Sequence, residues 1–133
     1  MENKEVTMTQ ENKELLLKDL CARLPYGAKV EYKNEIFDVE HVSPMYEEVK
    51  LDTYETWTVD VSDVRPYLFP VSSMTEEQKE EFAHVVVMCG TLASSQLVHM
   101  SVEDWLNKNH FDYRGLIPMG LAIDATGLKV YKL

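Results

Sequence analysis

The residues best equipped to do chemistry sit together near the C-terminal end, in Asp112-Tyr113-Arg114-Gly115. An acid, an aromatic and an arginine precede a glycine, so the segment reads as a loop. Arginine presents a rigid fork of donors that suits a carboxylate, and tyrosine presents a large anchoring surface. Asp112, Tyr113 and Arg114 are therefore candidate binding residues. The competing reading is internal, and the residues favour it: Arg114 pairs with Asp112 or Asp124, and Tyr113 packs.

Metal and nucleophile chemistry have thinner support. His110, Asp112 and Asp124 form the candidate ligand set for a metal-dependent enzyme, but two ligands from one loop are weak evidence. The four histidines, His41, His84, His99 and His110, are scattered, and neither Cys-x-x-Cys nor His-Glu-x-x-His occurs. His84 and Cys89 are five apart, which puts them on different faces of a helix. Cys21 and Cys89 both fall on expected apolar helix faces. Burial there predicts inert free thiols in a reducing compartment rather than nucleophiles. Gly120 to Gly127 has glycines but lacks the lysine and spacing of a phosphate loop, and reads as turn and strand. No catalytic set and no cofactor follow from these residues.

The 133 residues make one domain with enough chain for an ordinary core. Two-residue alternation runs through 26–70: Val30 and Tyr32, Phe37 and Val39, Val49 and Leu51, then Trp57, Val59 and Val61. Each run has one apolar and one wet face, as in antiparallel sheets over a single core. Turn-like separators fall at Lys33-Asn34-Glu35, Ser43-Pro44-Met45-Tyr46 and Thr53-Tyr54-Glu55. Ser62 to Pro66 makes a tight turn before a last extended piece, Tyr67 to Phe69. The expected fold is α+β: a small antiparallel SH3-like β-barrel over about 28–70, with Trp57 inside it, packed with an N-terminal helix and C-terminal helices. An open sheet covered by a helix is the alternative.

Residues 1–8 are a frayed tail. A helix runs from Thr9, its N-cap, to Leu24, with Leu16, Leu17, Leu20, Cys21 and Leu24 as its apolar stripe, and Pro25 and Gly27 stop it. A second helix runs from Thr75 to about Cys89, opened by the capping box Thr75-Glu76-Glu77-Gln78, with Phe82, Val85, Val86 and Cys89 on its apolar face. Gly90 to Met100 has no assignment. A third helix covers Ser101 to His110, with Met100 and Trp105 at staple spacing. Leu128 to Leu133 is a candidate final strand.

Net charge is −10, and ten acids against three bases lie between Ala28 and Val64. Such a surface repels phosphate backbones and argues against nucleic acid or anionic membrane. The N-terminus lacks a signal-peptide core, and no apolar run approaches membrane-span length, so a cytoplasmic protein is expected.

Several stretches carry a resemblance. Lys13 to Gly27 is similar to the opening of a family of small proteins from gut Bacteroides genomes and their phages or prophages. Pro66 to Pro70 followed by Ser72 to Gln78 resembles that family's middle, and His110 to Ile117 with Gly120 to Leu128 resembles its end. The resemblance implies a mobile-element or phage context, and brings no activity, cofactor or catalytic residue. The sequence therefore points to a non-enzymatic interaction module that binds another protein through its acidic barrel or its C-terminal loop. The alternatives are a nucleic-acid-related protein, by local contact or acidic mimicry, and a metal-dependent enzyme using the set above.

Overall fold

The computed structural model describes residues 8–53, 58–91 and 101–131. The first helix, α1 (Gln10–Arg23), starts where Thr9 Oγ1 accepts the Asn12 N–H at 3.1 Å, as its sequence predicts. It ends in a single 3-10 turn, Leu24–Tyr26, with Pro25 inside it. Gly27 then takes φ 86, a conformation that costs glycine nothing.

The chain next builds a meander of β1 (Lys29–Tyr32), β2 (Glu35–Ser43), β3 (Glu48–Leu51) and β4 (Thr58–Asp60). Lys33 and Asn34 both have positive φ, 52 and 68, which matches a two-residue turn to the twist of its strands. A 3-10 turn at Val61–Asp63 follows, its first amides held by Asp60, whose Oδ1 accepts from Ser62 N at 2.9 Å. From there β5 (Arg65–Leu68) returns to β1 and pairs Val30 with Pro66. Finally β6 (Ile123–Asp124) joins β5 in parallel. The order is β4-β3-β2-β1-β5-β6, a mixed six-stranded sheet in an α+β fold.

The barrel expected over 28–70 is not closed in this sheet. Closure needs the meander's end to meet the free side of β5. That side is taken by β6 and by Phe111, which bridges Phe69. The extended piece expected from Tyr67 begins at Arg65, and the turn and strand expected over Gly120–Gly127 supply β6; the candidate final strand from Leu128 is not a strand over 128–131, its described part.

Alternation also breaks once. The β2–β3 register shifts between Val39 and His41, so Val39 and Val42 are both buried while His41 is exposed. One extra residue in a strand turns every later side chain over. Leu16, Leu17 and Leu20 of α1 cover the sheet's inner residues, among them Val30, Val49, Leu51 and Leu68. The outer face is laced by pairs: Lys29–Asp38 at 2.6 Å, Arg65–Glu31 at 3.0 Å and Lys50–Glu40 at 3.3 Å.

A second apolar cluster lies beside the first. The helix α2 (Glu76–Thr91) opens with the expected capping box: Gln78 N donates to Thr75 Oγ1 and Thr75 N to Gln78 Oε1. The short α3 (Val102–Lys108) opens with Ser101 and Asp104 in the same exchange. Trp105, Leu106, Phe111 and Met74 form this cluster with Phe69, Phe82 and Val85. Val86, expected on the buried face, is exposed. Trp57, His99, Met100, residues 1–7 and most of the stretch from Gly90 to Met100 lie outside the described residues, as does the Cys89 side chain.

Register makes a direct prediction. Leu51 is fully buried and Ile36 is 52% exposed. Leu51→Ala loses about 2–5 kcal/mol in urea unfolding, and Ile36→Ala loses less than about 1 kcal/mol.

Candidate functional site

The last turns of α1 carry Asp19 and Arg23, four apart and hence neighbours on one helix face. Both are buried, at 0% and 1% exposure. Arg23 Nε donates to Asp19 Oδ2 at 2.8 Å, and Arg23 Nη2 donates to the Phe111 carbonyl at 2.7 Å. Arg114 Nη1 donates to Asp19 Oδ1 at 2.8 Å. A single carboxylate thus holds two guanidinium groups, one local and one 95 residues away in sequence.

The three candidate binding residues are brought to this point, and each has an internal role. The Tyr113 ring faces both arginines, with Arg114 Cζ 4.5 Å and Arg23 Cζ 5.5 Å from its centroid. Its hydroxyl donates to Asn107 Oδ1 at 3.1 Å. Asp112 Oδ1 and Oδ2 accept from the backbone N–H groups of Leu116 and Ile117, each at 2.8 Å. Arg114 pairs internally, but with Asp19 rather than Asp112 or Asp124. Asp19 and Arg23 were missed because a helical i, i+4 acid–base pair reads as an exposed surface pair.

The histidine next to this loop is also engaged. His110 takes φ 64, and its carbonyl accepts from Phe69 N at 2.8 Å. Its ring stacks on Tyr131 with centroids 3.6 Å apart and planes 11° from parallel. Tyr131 Oη accepts from Lys29 N at 3.1 Å and donates to the Tyr67 carbonyl at 2.9 Å. Burial, then the charges of Arg23 and Lys29, hold the His110 pKa down to about 4. Burial pushes the Tyr131 hydroxyl up to about 12, so it keeps its proton. Arg23 Nη1 and His110 Nδ1 are buried without a hydrogen-bond partner among the described residues.

The metal set is not assembled. His110 faces Tyr131, both Asp112 oxygens are taken by amides, and Asp124 is exposed, with Oδ1 accepting from Thr126 N at 2.9 Å. Among the described residues no three His, Cys, Asp or Glu are grouped to hold a metal ion.

Cys21 departs from expectation. Leu16, Leu17 and Leu20 face the sheet, and Cys21 falls beside them at the surface as an exposed free thiol. Partial desolvation raises its pKa, away from a reactive thiolate. It lines a cleft of about 280 Å³ with Glu14, Leu17, Lys18, Pro44 and Glu47. Beside this cleft the β2–β3 turn displays Met45 at 82% and Tyr46 at 70% exposure. Glu47 closes the turn at φ 56. Its carboxylate accepts from Gln10 Nε2 at 2.6 Å and Lys13 Nζ at 3.5 Å, and its carbonyl from Val61 N at 2.9 Å. The available signal was two large apolar residues in a turn, where polar ones are usual. No helix among the described residues is long and apolar enough to cross a membrane. Comparison with protein-family models, with curated proteins and with solved structures found no match.

Two predictions follow from the buried charges. Asp19→Ala strands two guanidinium groups and costs about 3–5 kcal/mol in chemical unfolding. Adding Arg23→Met to it restores part of that loss. His110 contributes to the pH dependence, because its folded pKa lies below its unfolded value near 6.5. Its contribution is complete above pH 6.5 and is lost as pH falls toward 4, by on the order of 2 kcal/mol. His110→Asn, which also accepts positive φ, flattens this window in unfolding measured from pH 7 to 4.

Proposed function

We propose that the chain is a non-enzymatic protein-interaction module of mobile-element or phage origin. It engages its partner at the β2–β3 hairpin tip rather than through Asp112, Tyr113 and Arg114. The observation that carries this is the exposure of Met45 and Tyr46, 82% and 70%, on a turn fixed by Glu47 to α1. Scattered surface apolar residues are ordinary, but two adjacent large ones beside a cleft are not scattered. The C-terminal loop is unsuited to the role because its polar groups are spent on Asp19, Asn107 and backbone amides. The origin rests on the family resemblance alone. A meander whose fifth strand returns to the first supports a barrel-like scaffold, left unclosed by β6.

Acidic mimicry of nucleic acid has less support. Glu31, Asp38 and Glu40 on the outer sheet face are each paired with a base. The test is a nuclease-treated pull-down from a bacterial host lysate with the tagged chain and a Met45→Ser/Tyr46→Ser variant. One stoichiometric protein held by the natural chain and lost by the variant is the expected result. Retention by both moves the interface elsewhere, and a partner released by nuclease turns the reading to nucleic acid. No stoichiometric partner overturns the module.

A further inference from the structure

The chain after β6 is tied down at one point. Beyond Ala125 it turns at Gly127, φ 83, with Leu128 N donating to the Ala125 carbonyl at 2.9 Å. Residues 126–129 are exposed. Tyr131 then folds back into the molecule, onto His110 at 3.6 Å and against Phe69 at 6.1 Å between centroids. Among the described residues after Leu128, Tyr131 alone is hydrogen-bonded to the rest of the chain.

The sheet is shaped around its hydroxyl. Val30 pairs with Pro66 and Glu31 with Arg65, which puts Lys29 opposite Tyr67. Hydrogen-bonded pairs recur at every second residue of an antiparallel ladder. Pro66 has no N–H, so the bonded pairs are Glu31–Arg65 and, two residues on, Lys29–Tyr67. Left to themselves, the strands would close a rung from Lys29 N to the Tyr67 carbonyl. Instead Lys29 N donates to Tyr131 Oη at 3.1 Å, and Tyr131 Oη donates to the Tyr67 carbonyl at 2.9 Å. The inserted atom must both accept and donate. A hydroxyl does so, whereas an ammonium, a carboxylate and a hydrocarbon do not. A hydroxyl bridge at one end and a flat aromatic shelf beside it together describe a phenol.

We infer that the slot between β1, β5 and His110 is a binding site for a para-substituted phenol, filled here in cis by the chain's own Tyr131. The tether gives Tyr131 a high effective concentration at the slot. A strap with one anchor opens locally, without the rest of the fold giving way. The contacts that hold Tyr131 then serve a free phenol or the tyrosine side chain of another segment equally well. The site is separate from the β2–β3 tip and does not rest on the interaction-module reading.

The test uses the full chain carrying Tyr131→Ala and three probes: p-cresol, toluene, and an acetylated peptide of the chain's own tail, Leu-Lys-Val-Tyr-Lys-Leu. Binding is read from the Lys29 amide resonance and from the thermal midpoint. p-Cresol is expected to move the Lys29 amide and raise the midpoint. Toluene is expected to bind at least about fivefold more weakly, because it leaves Lys29 N and the Tyr67 carbonyl unpaired. Binding of the peptide as well assigns the site to a tyrosine-bearing segment, and binding of p-cresol without the peptide assigns it to a small phenol. Should Tyr131→Ala fail to fold, Tyr131→Phe carries the test, since it keeps the ring and drops only the hydroxyl. There p-cresol is expected to move the Lys29 amide at a concentration about fivefold lower than in the natural chain, where Tyr131 competes in full. Equal binding of toluene, or p-cresol that leaves the Lys29 amide in place in both variants, overturns the proposal.

Discussion

The rest of the structure depends on one buried carboxylate. Asp19 is fully excluded from solvent and accepts from Arg23 and Arg114 at 2.8 Å each. Removing a carboxylate from water costs several kcal/mol, so this arrangement holds only when both oxygens have close, charged donors. The two donors come from opposite ends of the chain. Forming the site therefore requires α1 to meet the loop after α3, and fixes how they meet. Arg23 adds a second tie, because its other arm holds the Phe111 carbonyl at 2.7 Å. That bond runs from the cluster under α1 to the cluster around Trp105.

Much of the C-terminal half follows from this anchor. With Phe111 held, its ring stacks on Trp105 at 5.8 Å, and Trp105 meets Phe82 of α2 at 5.4 Å. On the other side Phe69 contacts Phe111 and Tyr131. Asp112 then shapes the turn that returns Leu116 and Leu121 to the main core. The same placement fills the side of β5 that a closed barrel would need. Closure of the meander and docking of the C-terminal segment compete for one strand edge, and the docked segment brings buried aromatic surface with it.

Local chemistry was legible in the sequence, and long-range chemistry was not. The caps at Thr9, Thr75 and Ser101 depend on residues three apart, and all three are where their spacing puts them. Alternation identified Val30, Val49 and Leu51 as core because a strand's faces are set by its own pleat. It does not reach Val42, since a bulge depends on what the partner strand offers. Cys21 was misplaced by one step around a helix whose buried face is narrow. The Asp112-Tyr113-Arg114 loop reads as chemically rich, and its residues favour internal use. Its true partner was invisible, because nothing local to Asp19 announces that a second arginine lies 95 residues on.

The contrast between the two polar regions argues for where function lies. At the C-terminal loop every local choice serves burial: the acid makes the turn, the aromatic packs and the arginine pairs. At the hairpin tip the local choices conflict with the backbone. Glu47 occupies a left-handed conformation, φ 56, that costs a non-glycine residue on the order of 1 kcal/mol. Glycine would remove that cost, but it could not reach Gln10 and Lys13. The strain is tolerated in exchange for a fixed turn, and what the turn fixes is Met45 and Tyr46 in solvent. Rigidity at an exposed apolar pair does little for the core, whereas it lowers the entropy lost when something binds there.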